Sequence, residues 1–241
     1  MSVQACLNGN RRREEHDALP LTPEELARDA AAVVEAGASS LHVHPRSDDG
    51  SESLDPEVCD AAVAAIRAAA PKVELSLSTG LWITGGDVER RLECVRGWSE
   101  PPDCVSLNVG EEGWVQLGEL LAELGIGIEI GLSEPQHPGE FASSGLARAC
   151  VRALVEPRDT APEVAVATAG AIDGGLEQAG IGLPQLHHGL DSATWAVMDV
   201  AVRRGRTVRV GLEDTLALPD ARRARDNAEL VAAAVERYQG S

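Results

Sequence analysis

Short runs of alternating apolar and polar residues recur along the chain, and a longer stretch with apolar residues at helical spacing follows each run. Val105, Leu107 and Val109, for example, alternate with Ser106 and Asn108. A period of two predicts a β-strand with two different faces, whereas apolar residues three or four apart predict an amphipathic helix. The predicted strands are residues 3–7, 40–44, 73–78, 104–109, 126–132, 151–155, 185–188 and 207–212.

A helix is predicted after each strand, and the first helix has the clearest start. Thr22 is a capping residue, Pro23 takes the first helical position and Glu25 lies three residues after the cap, while Gly37 ends the helix. The predicted helices are residues 23–36, 56–70, 88–96, 114–124, 141–149, 162–172, 194–204 and 221–238.

Eight strand–helix pairs in 241 residues predict an α/β fold, a (β/α)8 TIM barrel that forms a single catalytic domain over residues 1–241. A doubly wound open sheet is the alternative. No predicted strand is followed by the glycine-rich nucleotide-binding patterns that are typical of such sheets. In a barrel, one face of each strand packs under the helices and the other points to the axis.

The polar faces of these strands carry side chains that are costly to bury. Glu129, Arg209 and Glu213 alternate with apolar residues, and His42 and His44 share one face of the second strand. Charged groups at a barrel axis destabilise the fold unless they pair or bind a ligand. Several lie at the C-terminal ends of strands, where the active sites of these barrels are built.

Two histidines on one strand face form an incomplete metal site, which Glu213 completes as third ligand. Zinc fits this donor set best, and other divalent metals are alternatives. Asp214 follows Glu213 directly, so it is predicted to act as a base that Arg209 orients. Two structural interpretations remain open: an ordinary hydrogen-bonded histidine pair, and a salt-bridge network that closes the barrel.

Other polar or aromatic side chains follow strands on the same side of the predicted barrel. Hydroxyl and backbone donors after the third strand suit a carboxylate or an oxyanion. The residues expected around the substrate are Ser78, Thr79, Gly80 and one of His187 and His188, with Trp82 and Trp195 as walls. Arg11, Arg12 and Arg13 are expected at the mouth of the site, and His16 and His137 on the surface.

Composition excludes several function classes. The net charge of −18 argues against nucleic acid and anionic membranes as partners, because both require a positive surface. No apolar run is long enough to cross a bilayer. Five scattered cysteines without a C-x-x-C pair are typical of reduced thiols, so we expect a cytoplasmic protein. Lys72, the single lysine, precedes a strand and is badly placed for Schiff-base chemistry.

Two motifs, H-x-H-x-R at residues 42–46 and R-x-G-L-E-D at residues 209–214, resemble the β-keto acid cleavage enzyme family, which includes 3-keto-5-aminohexanoate cleavage enzymes. The resemblance covers nearly the whole chain. It implies a metal-dependent (β/α)8 barrel, usually with zinc, that condenses a β-keto acid with acetyl-CoA. The products would be acetoacetate and a new acyl-CoA, formed by a Claisen and retro-Claisen route. It also implies a homo-oligomer.

The same resemblance implies residue roles. His42, His44 and Glu213 would ligate the metal, and Asp214 would be the general base that Arg209 positions. Glu129 would act with them as a catalytic residue that lines the substrate site. The substrate-binding residues would be Asn10, Arg46, Ser78, Thr79, Gly80, Asn108 and His188.

Three departures from the lysine-degrading members of that family stand out. Asn10 replaces a glutamate in the first loop, Ser106 or Asn108 replaces a threonine, and residues 130–132 lack a Phe-Asp pair. The chain therefore looks like a shorter branch. The metal ligands and the base are retained, whereas the tail of the keto acid is left open.

Two other classes compete with this hypothesis. Metal-dependent hydrolases of the amidohydrolase type also carry H-x-H on a barrel strand, but on the first strand, with further histidines and often a lysine. Here the pair lies on the second strand and no lysine is suitably placed. A barrel that binds metal without turnover is the other class, and nothing in the sequence favours it.

Overall fold

The computed structural model describes residues 2–239 and shows a closed barrel of parallel strands in sequence order. The strands are β1 Val3–Cys6, β2 Ser40–Val43, β3 Glu74–Ser78, β4 Cys104–Asn108, β5 Gly127–Leu132, β6 Cys150–Val155, β7 Gln185–His187 and β8 Thr207–Val210. The helices are α1 Pro23–Glu35, α2 Pro56–Ala69, α3 Val88–Gly97, α4 Trp114–Leu124, α5 His137–Ser144, α6 Pro162–Gln178, α7 Thr194–Arg203 and α8 Asn227–Gln239.

The predicted (β/α)8 barrel is therefore confirmed. The domain bounds of 1–241 stay a prediction, because residues 1, 240 and 241 lie outside the described residues. Between residues 2 and 239, no helix combines the length and the apolar character that a bilayer crossing needs.

Local sequence explains how the first helix begins. The Thr22 hydroxyl accepts a hydrogen bond from the Glu25 amide at 3.3 Å, and the Glu25 carboxylate accepts one from the Thr22 amide at 3.2 Å. These bonds satisfy backbone donors that a helix start leaves unpaired. Leu26, Ala30 and Val33 form the buried stripe of α1 against the barrel.

The two faces of the strands separate as the alternation predicts. One face packs under the helices and is fully buried; on β3 to β5 it comprises Leu75, Leu77, Val105, Leu107, Ile128 and Ile130. The other face fills the barrel interior with polar groups, among them His42, Ser76, Glu129 and Arg209, all at most 3% exposed. The strands therefore fix the direction of these interior side chains.

Helix bounds differ from the prediction at three places. The last helix begins at Asn227 and not at residue 221, because residues 217–223 form a turn in which Ala217 and Arg223 bridge. α5 begins earlier, at His137 with Pro138 in its first turn, and ends before Gly145, whose φ of 79° breaks the helix. α6 continues to Gln178, beyond the predicted end at residue 172.

Asn227, the first residue of α8, ties the ends of two strands together. Its amide oxygen accepts a hydrogen bond from the Leu212 amide at 2.6 Å. Its amide nitrogen donates to the Leu7 carbonyl at 2.8 Å and to the Asp29 carboxyl at 2.7 Å. Asn227 is fully buried, so it fixes the chain that leads directly into Glu213.

The Asp29 carboxyl makes the stability of the folded protein depend on pH. Burial raises the pKa of its carboxyl from 3.8 to about 7. As the pH rises from about 4 to 7, the unfolded chain releases the Asp29 proton first, so the folded state loses relative stability. We expect Asp29→Asn to raise the free energy of unfolding at pH 8, by on the order of 1 kcal/mol, and to leave it nearly unchanged at pH 4. Urea unfolding at both pH values measures this, and an equal change at both would contradict it.

Candidate metal centre and active site

A cavity of about 190 Å³ opens where the C-terminal ends of the strands meet. His42 and His44 enter it from β2 and the residue after it, and Glu213 enters from the turn that follows β8. This is the end of the barrel that the positions of the polar residues predicted. The polar interior of the barrel thus continues into this open cavity.

Three ligand atoms converge at the floor of the cavity. The Nε2 atoms of His42 and His44 lie 3.2 Å apart, and the His44 Nε2 lies 3.4 Å from Glu213 Oε1. The ligand atoms of the three residues all lie within 4.8 Å of one another. Glu213 Oε2 is buried, and no hydrogen-bond partner for it exists in residues 2–239. Two imidazoles and one carboxylate, whose second oxygen is buried without a partner, fit a divalent cation such as zinc.

The electrostatics favour the ligating forms of His42 and Glu213. Burial holds the pKa of His42 well below its usual value, so one ring nitrogen carries a free lone pair. Burial acts to raise the pKa of Glu213, but Arg209 and the two histidines outweigh it, and the pKa lies well below the usual range. Burial likewise acts to lower the pKa of His44, yet Glu213 and Glu52 raise it to about 9. A proton therefore competes with a metal ion for His44.

Asp214 lies beside the three converging side chains but does not line the cavity. It is fully buried, and Arg209 Nη2 donates to its Oδ1 at 3.0 Å and to Glu213 Oε1 at 2.5 Å. The Cys6 thiol donates to its Oδ2 at 2.8 Å. Burial acts to raise the pKa of Asp214, but Arg209 and His188 hold it below the usual value. Asp214 is thus an ionised carboxylate.

His188 connects Asp214 with the cavity. Its imidazole lines the cavity, its Nδ1 lies 3.3 Å from Asp214 Oδ1, and its Nε2 lies 3.3 Å from Glu156 Oε2. Burial and Arg209 act to lower the pKa of His188, but the carboxylates of Asp214 and Glu156 raise it overall. His187 points elsewhere, toward Gln185 at 2.7 Å, so His188 is the member of the pair that reaches the site.

Glu129 lies deeper in the barrel, beneath His42. It is fully buried, accepts a hydrogen bond from Gln4 at 2.7 Å and a short one from Ser76, and lies 3.4 Å from the Arg152 guanidinium. The Ser76 hydroxyl is 3.1 Å from His42 Nδ1. The structure therefore places Glu129 behind His42, whereas the resemblance implied a place at the substrate.

The predicted substrate-binding residues divide into two groups. Asn10, Ser78, Asn108 and His188 line the cavity. The other three, Arg46, Thr79 and Gly80, support it from outside. Thr79 donates to the Ser106 carbonyl at 2.5 Å. Arg46 joins the first two loops by donating to the carbonyl groups of Gly9, Gly50 and Arg11.

Several other predictions about position are wrong. His16 and His137 are buried, because the first packs its Nε2 2.9 Å from the Ala224 carbonyl and the second accepts from the Ser133 amide. Trp195 is no cavity wall, since its indole donates to the Ala217 carbonyl at 2.8 Å. Trp82 does line the cavity. Arg11 does not line it, but its guanidinium donates to the Glu213 carbonyl at 3.2 Å.

Two charged cavity residues and one residue behind His44 were missed because they lie in loops without a motif. Glu156 and Arg158 follow β6, and Glu52, which contacts His44, follows β2. A charged residue soon after the C-terminal end of a strand is the signal that could have found Glu156 and Arg158, as it found the others; Glu52 lies too far beyond β2 for that signal.

Gly131 keeps space open between two cavity residues. A Cβ atom at this position would lie 2.6 Å from Asn108 Oδ1 and 2.6 Å from Glu156 Oε1, so both side chains, which line the cavity, would have to shift. We expect Gly131→Ala to raise KM for the substrate by roughly tenfold, with a smaller change in kcat. Gly139→Ala is the control, since a Cβ there meets nothing within 4 Å. Steady-state kinetics with an unchanged KM in Gly131→Ala would contradict the placement of the substrate.

Comparison with known proteins supports the resemblance to the β-keto acid cleavage enzyme family. A sequence model of the β-keto acid cleavage enzyme family matches residues 1–240. A 3-keto-5-aminohexanoate cleavage enzyme of Fusobacterium nucleatum subsp. nucleatum is 29% identical over 258 residues, 95% of this chain and 88% of that protein. A 3-oxoadipate:acetyl-CoA acetyltransferase of Cupriavidus necator is 35% identical over 69 residues, 29% of this chain and 24% of that protein.

Solved structures of ObcA share the fold. Its ternary complex with a C4-CoA adduct and oxalate has a TM-score of 0.76 at 19% identity, over 92% of this chain and 64% of the ObcA chain. The apo structure gives 0.74 and covers 62% of the ObcA chain, so this protein spans less than two thirds of ObcA. Because the family match extends over nearly the whole sequence, the chain belongs to the β-keto acid cleavage enzyme family.

Proposed function

We propose that this protein is a metal-dependent β-keto acid cleavage enzyme that converts a β-keto acid and acetyl-CoA into acetoacetate and a new acyl-CoA. The observation that carries the proposal is the convergence of His42, His44 and Glu213 on one point of the cavity, with the ionised Asp214 next to them. The names of the acetyltransferase relative and of the ObcA complex with a CoA adduct support a CoA thioester as co-substrate.

The proposed reaction balances without a further reagent. A proton leaves C2 of the β-keto acid, and C2 forms a bond to the acetyl carbonyl carbon while the CoA thiolate departs. The thiol of CoA then attacks the original 3-keto carbon, and the bond between C2 and that carbon breaks. C2 takes a proton again, which yields acetoacetate, and the remaining acyl group leaves as its CoA thioester.

The residues of the chain divide this chemistry between them. A divalent cation held by His42, His44 and Glu213, zinc by the donor set, would polarise the 3-keto group and make C2 more acidic. His188 faces the cavity, so we propose that it relays the C2 proton to Asp214 across the 3.3 Å contact. Arg209 keeps Asp214 ionised and in place through the 3.0 Å hydrogen bond.

The cavity favours a small, polar substrate. Its volume is about 190 Å³, and Asn10, Ser78 and Asn108 offer it neutral hydrogen-bonding groups. Asn10 stands where lysine-degrading members have a glutamate, so the substrate tail need not be an ammonium. A cytoplasmic location and a homo-oligomer stay predictions from the sequence.

A panel assay tests the proposal. Purified protein with its metal content measured is given acetyl-CoA and β-keto acids with neutral, acidic and basic tails, and acetoacetate and acyl-CoA are quantified together. We expect equimolar amounts of both products from at least one acid. Metal-loaded protein that yields no acyl-CoA from any acid, but hydrolyses amides or lactones, would replace the proposal by the amidohydrolase alternative.

A further inference from the structure

His44 has a second strong contact, on the side of its ring that faces away from the metal ligands. Its Nε2 points to His42 and Glu213, while its Nδ1 lies 2.5 Å from Oε1 of Glu52. The Glu52 side chain is only 12% exposed. When Nε2 ligates a metal, Nδ1 carries the ring proton and donates it to this carboxylate.

Trp82 holds Glu52 from the other side. Its indole Nε1 donates to Glu52 Oε2 at 3.0 Å, and its ring stacks on His44 with 6.5 Å between ring centroids and 28° between planes. Gly80 leaves room for this ring, since a Cβ at Gly80 would lie 2.2 Å from carbon atoms of Trp82. Both oxygens of Glu52 thus accept hydrogen bonds from rings that contact each other.

The backbone around this contact is fixed as well. The Asn8 side chain accepts from the His44 amide at 2.9 Å and donates to the His44 carbonyl at 2.9 Å. The Ser53 amide donates to the Pro45 carbonyl at 3.0 Å, which closes the loop that carries Glu52. Glu52 is therefore held at His44 by the loop and by Trp82.

We propose that Glu52 is a positioning residue for the metal ligand His44 and that Trp82 clamps Glu52 in place. This inference rests on the proposed function, because it assumes that His44 binds a metal. A carboxylate on the second ring nitrogen fixes the tautomer and the orientation of a ligating histidine and makes it a stronger ligand. Glu52 accepts hydrogen bonds from two neutral donors. A carboxylate has one oxygen for each donor, whereas the side-chain amide of glutamine has only one oxygen.

The test is the affinity for Zn2+, measured by competition with a chromophoric chelator. We expect Glu52→Gln to weaken Zn2+ binding by about 10- to 100-fold, with one site per chain retained. The amide has one accepting oxygen, so either His44 or Trp82 faces an NH2 group. Glu57→Gln, an exposed carboxylate on α2, is the matched control and should bind Zn2+ like the wild type.

A second measurement, made in the Trp82→Phe variant, distinguishes a positioning role of Glu52 from a general loss of structure. Trp82→Phe removes one of the two donors, so Glu52→Gln should cost clearly less affinity in Trp82→Phe than in the wild type. The visible absorption spectrum of the Co2+-loaded protein should shift in Glu52→Gln while its far-UV circular dichroism stays unchanged. Both results together are not expected from a destabilised fold.

The Zn2+ titrations distinguish a failure of the proposed metal site from a failure of the role of Glu52. A wild type that binds no Zn2+ at its His42 and His44 site overturns the proposed function and this inference with it. A wild type that binds Zn2+ stoichiometrically, with Glu52→Gln of equal affinity and spectrum, overturns only the role of Glu52. Equal losses in the two backgrounds overturn the role of Trp82 as the clamp.

Discussion

Replacement of Asp214 by asparagine is expected to lower kcat for acetoacetate formation by about 10²- to 10⁴-fold, the range of a lost general base. The amide has the shape of the carboxylate and fits the buried position between Arg209 and the Cys6 thiol. It has no basic oxygen to accept the C2 proton that His188 passes on. Metal content should stay at the level of the wild type, because Asp214 is not one of the converging ligands.

Proton exchange at C2 identifies the step that is lost. In D2O without acetyl-CoA, the wild type should exchange the C2 protons of a substrate faster than the buffer does, and Asp214→Asn should not. Asp199→Asn, at an ion pair with Arg237 on the outer surface of α7, is the control and should exchange normally. Full exchange and turnover in metal-loaded Asp214→Asn would remove Asp214 from the mechanism.

Replacement of Glu213 by glutamine is expected to lower the affinity for Zn2+ by at least about 100-fold and to abolish turnover at low metal concentrations. The neutral amide loses the negative charge that offsets the cation, and it leaves the Arg209 guanidinium facing a weaker acceptor. The turn itself should persist, because Gly9, at a φ of 55°, packs its backbone against the unchanged Cβ and Cγ atoms of residue 213. Metal analysis after dialysis and chelator titration measure the effect.

Glu156→Gln is the control for this variant, because Glu156 is a cavity carboxylate outside the group of converging ligands. Glu156→Gln should retain one metal per chain, and any loss of activity should come from changed contacts of residue 156 with the substrate and with His188. Stoichiometric Zn2+ in Glu213→Gln with unchanged affinity would remove Glu213 from the ligand set.

The period-two pattern was sufficient to predict the barrel and the direction of the strand side chains. His42 and Arg209 point into the barrel because alternate residues on a strand share a face. His44 and Glu213 lie just after β2 and β8 and reach the same place because parallel strands end at the same rim. The end of the barrel at which these four side chains lie was therefore predictable from the sequence. The exact place of Glu213 was not, because β8 ends at Val210 and a turn carries Glu213.

The depth of a side chain in the barrel and the conformation of the loops could not be predicted from the alternation of residues. Alternation assigns Glu129 to the interior but does not say at which level of the barrel it lies, and the answer depends on how β3, β4 and β5 are staggered. Glu52 reaches His44 only because the loop after β2 folds back on itself. His16 and His137 look like surface residues in the sequence, yet loop carbonyl and amide groups enclose them.

The most direct test of the proposed reaction is to follow a ¹³C label carried in both acetyl carbons of acetyl-CoA. The proposed route predicts acetoacetate labelled at C3 and C4, with C1 and C2 unlabelled, and an unlabelled acyl group on the new CoA thioester. Both species are distinguished by ¹³C NMR of one reaction mixture. Unlabelled acetoacetate, or a label that stays entirely in acetyl-CoA and acetate, would show that the protein does not exchange the acetyl group for the acyl group of a β-keto acid.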